Sequence, residues 1–146
     1  MKKESTISIT APARLHLGFM DLNGSLGRKF GSVGLTIDSI ETSITARKNS
    51  SQSNQIINKY NQRACDYAKL ILKAYEVDDT ALIDVHKKIP EHAGLGSGTQ
   101  LALSVGVAIS KLFDLNLSLM DIGKILDRGN RSGIGIGAFE SGGFLI

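Results

Sequence analysis

The sequence holds one cysteine, two prolines and no tryptophan, and aromatic residues make up only 5% of it. A lone Cys65 excludes an intrachain disulfide framework. It stands in a helical pattern and reads as a small buried hydrophobe. No Cys and His residues stand at the spacing of a structural zinc site. No apolar run approaches the ~18 residues of a transmembrane helix. Behind Lys2 and Lys3 there is no apolar stretch of the signal-peptide kind, so a cytoplasmic location and no membrane partner are expected. Charge is mild: Lys plus Arg total 17 and Asp plus Glu 14, a net +3. The basic residues form no dense or aromatic-interleaved patch, which argues against nucleic acid and suits small anions. At 42% hydrophobic and 21% charged the composition is that of an ordinary globular chain, and 146 residues make one domain.

Glycine is what the chain has in excess, 16 residues in all. Five lie between Gly18 and Gly34, none between Leu35 and Ala93, and eleven between Gly94 and Gly143. Two regions of special backbone therefore flank a stretch of ordinary packed structure.

Thr6–Thr10 alternates as a strand, Pro12 interrupts, and Arg14–Leu17 alternates again, with Leu15 and Leu17 on one face and Arg14 and His16 on the other. A solvated face accounts for Arg14 and His16 as well as a site does. Asp21-Leu22-Asn23-Gly24 is a turn. Val33–Lys48 is rich in β-branched residues and reads as a strand. Gln55–Glu76 reads as a helix on the stripe Ile57, Ala64, Ala68, Ile71 and Tyr75. Ala81–Lys88 is a short strand, and Thr99–Phe113 is a helix apolar nearly all round, hence buried. Gly106 inside it costs about 1 kcal/mol relative to Ala, so a close contact is expected there. Ser118 and Asp121 have the spacing of a capping box, opening a helix that ends near Arg128-Gly129. The order β, β, β, α, β, α, α, then a glycine-rich return, is α+β. Gly142-Gly143-Phe144-Leu145-Ile146 reads as the start of a further strand, and so as part of a longer polypeptide.

The stretch Ile89–Thr99 lies between a strand and the buried helix, with Gly94, Gly96 and Gly98 at alternate positions. Such a loop lets successive N–H groups converge on an anion, and the helix N-terminus adds positive charge. A Walker loop would end in Gly-Lys-Ser/Thr, and no Lys follows Gly98. A dinucleotide fingerprint would need glycine where Thr99 stands.

Pro90 followed by Gly94-Leu95-Gly96-Ser97 resembles the phosphate-binding motif of the GHMP kinase superfamily. That motif normally continues Ser-Ala-Ala, where this chain has Gly98-Thr99-Gln100. Ala11-Pro12-Ala13-Arg14 resembles the superfamily's first motif. Arg131-Ser132-Gly133-Ile134 resembles its Ser-Gly-Ile-Asp segment, with Gly135 in place of the Asp that serves the kinases as base or orients the acceptor hydroxyl. The missing loop Ser also removes a hydroxyl able to hold Mg²⁺. Taken together, Arg14–Gly18 with Asp21–Gly24, Glu91–Gln100 and Arg128–Gly135 resemble the β-ribofuranosylaminobenzene 5′-phosphate synthase family over nearly the whole chain.

The resemblance implies a GHMP-kinase-type N-terminal domain over residues 1–146, a mixed sheet packed against helices, with the family's C-terminal domain absent. It implies a glycosyltransferase of the decarboxylating phosphoribosyl type in methanopterin biosynthesis, inactive as this fragment alone. The substrates would be phosphoribosyl pyrophosphate and a 4-amino- or 4-hydroxybenzoate, and a homodimer of the full-length protein is compatible with it. Gly94, Leu95, Gly96, Ser97, Gly98 and Thr99 would hold pyrophosphate. Arg128, Arg131, Ser132 and Gly133 would form a second site for the sugar phosphate. Arg14 with His16, or Arg28, would orient the carboxylate, His92 would bond phosphate or move a proton, and Asp21 would hold Mg²⁺. The catalytic set expected is Asp21, Arg28, His92 and Arg131. The alternative is an ATP-dependent small-molecule kinase of the same superfamily, against which Gly135 counts.

Overall fold

The computed structural model describes residues 5–27, 31–49, 62–130 and 132–146. The chain runs β1 (Thr6–Phe19), β2 (Ser32–Lys48), α1 (Gln62–Ala74), β3 (Ala81–Lys87), α2 (Ser97–Leu112), α3 (Leu119–Ile125), α4 (Ile134–Glu140) and β4 (Phe144–Leu145). The fold is α+β, as expected. A long β2 is the centre of the sheet, with β1 on one side and β3 and β4 on opposite ends of the other. Where a mixed sheet is expected, all ladders among the described residues are antiparallel.

Pro12 does not divide β1. It pairs with Glu41, and the next pair is Ala13 with Ile37, so the irregularity lies in Asp38-Ser39-Ile40 of the partner strand. Ser39 takes a left-handed φ of 66°. A bulge of this kind accommodates a strand proline and re-aims the residues beyond it. Beyond it Arg14 and His16 face the helices, while Leu15 and Leu17 are 40% and 56% exposed on the outer face. The solvated-face reading of Arg14 and His16 is therefore inverted.

The helices form a second layer with α2 at its centre. Ile44 and Ile83 from the sheet meet Ile71 of α1, Leu103 and Ile109 of α2 and Ile122 of α3 in one core. Each such side chain contributes about 1.5–3 kcal/mol by its burial. Buried residues lie on every side of α2, as its composition predicts. The close contact at Gly106 is with Ile122: a Cβ there would stand 2.2 Å from Ile122 Cγ2. In α1, Ala64, Ala68 and Ile71 are buried as the stripe predicts, joined by Tyr67 and Leu72. Ile57 lies outside the described residues. Tyr75 is past the end of α1 and 42% exposed. Cys65 is half-buried rather than buried, and burial raises its thiol pKa. The capping box is present, with Ser118 Oγ accepting from Asp121 N–H and the Asp121 carboxylate accepting from Ser118 N–H. The glycine-rich return contains the short helix α4, and β4 pairs with β2 where a strand is expected.

Candidate active site

The segment between β3 and α2 turns on two left-handed glycines, Gly94 (φ 72°) and Gly96 (φ 80°), which only glycine adopts without strain. Gly96 is the N-cap of α2 and offers no side-chain cap. The first-turn N–H groups, at Ser97, Gly98 and Thr99, have no intrahelical carbonyl to bond, and the sixteen-residue helix adds partial positive charge there. They open on a cavity of about 230 Å³. All six loop residues expected to bind phosphate, Gly94 to Thr99, line it. His92 stands on its exposed rim with a left-handed φ of 57°, beside Glu91.

Arg14 holds the loop from behind. Its backbone N–H donates to Leu95 O at 3.0 Å and its Nη1 to Gly94 O at 3.0 Å. A Cβ at Gly96 would lie 3.1 Å from the Arg14 guanidinium. Burial lowers the Arg14 pKa from its ordinary value. Arg14, expected on a substrate carboxylate, is instead a strut of the glycine loop. His16 packs its ring on Phe19, centroids 4.7 Å apart, and lines neither this cavity nor the one described below.

Two arginines close the far side. Arg63 of α1 donates through Nε to the Tyr67 hydroxyl at 3.1 Å, and Arg128 donates through Nη2 to the same oxygen at 2.7 Å. Both guanidiniums lie over the Tyr67 ring, 5.9 and 5.8 Å from its centroid. Arg63 Nη1 also faces Glu91 at 3.9 Å. Arg128 therefore belongs to the glycine-loop cavity and not to a separate anion site. Arg63 and Tyr67 were not expected. Their i, i+4 spacing on a helix is the one local signal they carry, and nothing local ties them to a loop some thirty residues later.

A second cavity of about 330 Å³ is lined by Met20, Asp21, Leu26, Ser32, Gly133 and Ile134 among others. Asp21 is 4% exposed, and its Oδ2 accepts from Leu26 N–H at 3.1 Å. Ser132 Oγ meets Ser32 Oγ at 2.9 Å and accepts from Ile134 N–H. Among the described residues lining this cavity none is basic. Arg128, Ser132 and Gly133 are thus not brought together as the sugar-phosphate site expected around Gly129–Gly137: Arg128 lines the other cavity, Gly133 lines this one, and Ser132 bonds Ser32 and Ile134. Arg28 and Arg131 lie outside the described residues. Among the described residues no three His, Cys, Asp or Glu side chains cluster for a metal. Asp21 alone offers Mg²⁺ one carboxylate, which suffices only where substrate phosphate and water complete the shell.

Gly135 of α4 packs on Thr99, and a Cβ there would stand 2.6 Å from Thr99 Cγ2. Its carbonyl accepts from the buried Gln100 Nε2 at 2.9 Å. The place where the kinases carry a base is filled by this contact. Among the described residues no helix is long and apolar enough to cross a membrane.

Residues 59–143 match the family described as GHMP kinases N terminal domain. The chain is 40% identical to the β-ribofuranosylphenol 5′-phosphate synthase of Methanocaldococcus jannaschii over 94% of its own length and 45% of the relative's. It is 36% identical to the enzyme of that name from Archaeoglobus fulgidus, over 96% of this chain and 44% of the relative. The chain thus spans less than half the length of these curated relatives. Among solved structures, the Methanococcus jannaschii mevalonate kinase superposes with a TM-score of 0.62 at 18% identity, over 90% of this chain and 51% of that one, a likeness of fold.

Proposed function

We infer a function from one premise: this chain belongs to the family of GHMP kinase N-terminal domains. Within it, the chain is the front part of a decarboxylating phosphoribosyl transferase of the β-ribofuranosylaminobenzene 5′-phosphate synthase type. Its substrates are phosphoribosyl pyrophosphate and a 4-substituted benzoate, in the manner required for methanopterin biosynthesis. The name of these relatives, a ribofuranosylphenol synthase, favours 4-hydroxybenzoate over 4-aminobenzoate. The observation that supports the reading is a glycine loop whose first-turn N–H groups open on a cavity, together with a glycine, Gly135, packed on Thr99 where the resemblance puts the kinases' Asp.

In the proposed reaction the bond from the anomeric carbon to pyrophosphate breaks, and the leaving group takes the electron pair. The benzoate ring carbon that bears the carboxylate attacks the electron-poor sugar carbon. Loss of CO₂ then returns the electron pair to the ring. No alcohol needs deprotonating, so the absence of a base at Gly135 is no obstacle. Charge building on pyrophosphate is met by the Gly94–Thr99 loop and by Arg128, donors fixed before the reaction starts. His92 on the rim bonds the leaving phosphate or returns a proton to it. Mg²⁺, held by Asp21 and substrate phosphate oxygens, would supply charge neutralisation when bound. Arg28 and Arg131 keep their proposed roles toward the carboxylate and the sugar phosphate.

The test uses the full-length protein. Given phosphoribosyl pyrophosphate and 4-hydroxybenzoate it is expected to release pyrophosphate and CO₂. Turnover of ATP on a small alcohol, with neither product formed, would establish the kinase instead.

A further inference from the structure

We propose that Arg63, Tyr67 and Arg128 form a clamp that makes the glycine-loop cavity selective for a diphosphate over a single phosphate, with Tyr67 as the positioning residue. The proposal rests on the reading of this cavity as the pyrophosphate site and adds to it two residues, Arg63 and Tyr67, and a basis for selectivity.

One phenol oxygen accepts from both guanidiniums, which places the two donating nitrogens within about 6 Å of each other. Two cations held this close repel, and a neutral phenol cancels neither charge. The nearest carboxylate, Glu91, stands 3.9 Å from Arg63 with both side chains half exposed, a contact of little strength. Both arginines line the glycine-loop cavity, and each fork has N–H groups beyond the one that the phenol accepts. Arg128 Nε is buried without a hydrogen-bond partner. Polyvalent anions are what such a pair of forks binds well.

The opposite wall of the same cavity is the glycine loop with the free N–H groups of the first turn of α2. The two walls meet at Gly98. A Cβ there would lie 3.1 Å from Arg63 Nη2 and 3.7 Å from Arg128 Nη1, so both guanidiniums lie over a residue that has no side chain. A diphosphate can set one phosphoryl group on the loop N–H groups and the other between the arginines. A single phosphate must choose one wall. Tyr67 is buried in the core, so the phenol oxygen that accepts from both arginines is fixed in place before any ligand arrives, which lowers the ordering cost of binding.

Calorimetric titration of the full-length protein with inorganic pyrophosphate, and separately with inorganic phosphate, tests this. The wild type is expected to bind pyrophosphate at least about tenfold more tightly. Tyr67→Phe and Arg63→Ala are each expected to weaken pyrophosphate by about tenfold, as for loss of a hydrogen bond to a charged group, and phosphate by no more than about threefold. Equal losses for both anions, or no loss, in variants that keep the wild-type Tm overturn the clamp. So does a wild type without preference. Should Tyr67→Phe fold poorly, Arg63→Lys decides. It changes an exposed side chain and keeps the charge but loses the fork and the Nε–H bond to the phenol. Retained preference in Arg63→Lys rejects the proposal. The outcome is independent of the reaction: clamp-dependent pyrophosphate binding without release of pyrophosphate and CO₂ from the two substrates refutes the synthase and leaves the clamp. Product formation with unchanged anion preference in the variants does the reverse.

Discussion

Gly135 shows how a residue without a side chain can be a packing demand. It is buried against Thr99, and the clash a Cβ would meet is with a methyl group, Cγ2, at 2.6 Å. Overpacking of this kind typically costs about 1–3 kcal/mol. Gly135→Ala is therefore expected to lower stability by that amount in urea unfolding. Thr99→Ser removes the methyl and should restore most of the loss in the double variant, a coupling between neighbours. Additive losses in the double variant would show that the contact is not the cause. The sequence displays Gly135 as a departure from the kinase pattern, but the reason lies in Thr99, in a different helix. The clamp is hidden for the same reason: Arg63 and Tyr67 on α1, and Arg128 after α3, meet only once three helices pack. Arg14 is visible as a motif residue, yet its partner carbonyls lie some eighty positions away, so its task as a strut is not.

Among the elements, those set by local interactions are the legible ones. The Ser118 capping box is a four-residue pattern and forms as read. Ser118 bonds hold the Asp121 carboxyl below the ordinary carboxylate range, the hydroxyl first and the backbone N–H second. A folded-state pKa lowered in this way gives stability that is present above the unfolded value and lost as pH falls through the folded one. Ser118→Ala is expected to cost about 1 kcal/mol at neutral pH. Its difference from wild type should shrink in acid below the carboxylate range. A difference that stays constant with pH would remove Asp121 from the cap. By contrast, Pro12 looks like a strand break because the bulge that accommodates it lies in Asp38-Ser39-Ile40 of the neighbouring strand. The helix α4 is masked by its own composition, with Gly135 and Gly137 among its seven residues. Glycine disfavours an isolated helix, and packing on α2, β1 and β2 supplies what propensity does not.

At the scale of the whole molecule, the sheet has one face under the helices and one face open. Leu15 stands opposite Leu35, and Leu35 opposite Phe144. Three strands therefore set one apolar row on the open face, 40%, 39% and 61% exposed, with Leu17 two residues beyond Leu15 on the same face. The alternation along β1 was legible in the sequence. Which side would be covered was not, because the bulge and the contact of Arg14 with the glycine loop decide it. Neighbouring exposed apolar side chains of this kind form a surface that an apolar probe can bind. The 146-residue chain is accordingly expected to bind a hydrophobic dye. Replacing the facing pair with opposite charges, Leu15→Lys with Leu35→Glu, should abolish that binding. Because neither residue belongs to the core between sheet and helices and a cross-strand pair contributes only about 0.2–1 kcal/mol, Tm should move little. Dye binding that persists in the double variant would place the exposed apolar surface elsewhere. A collapse of Tm would show that the row supports the sheet itself.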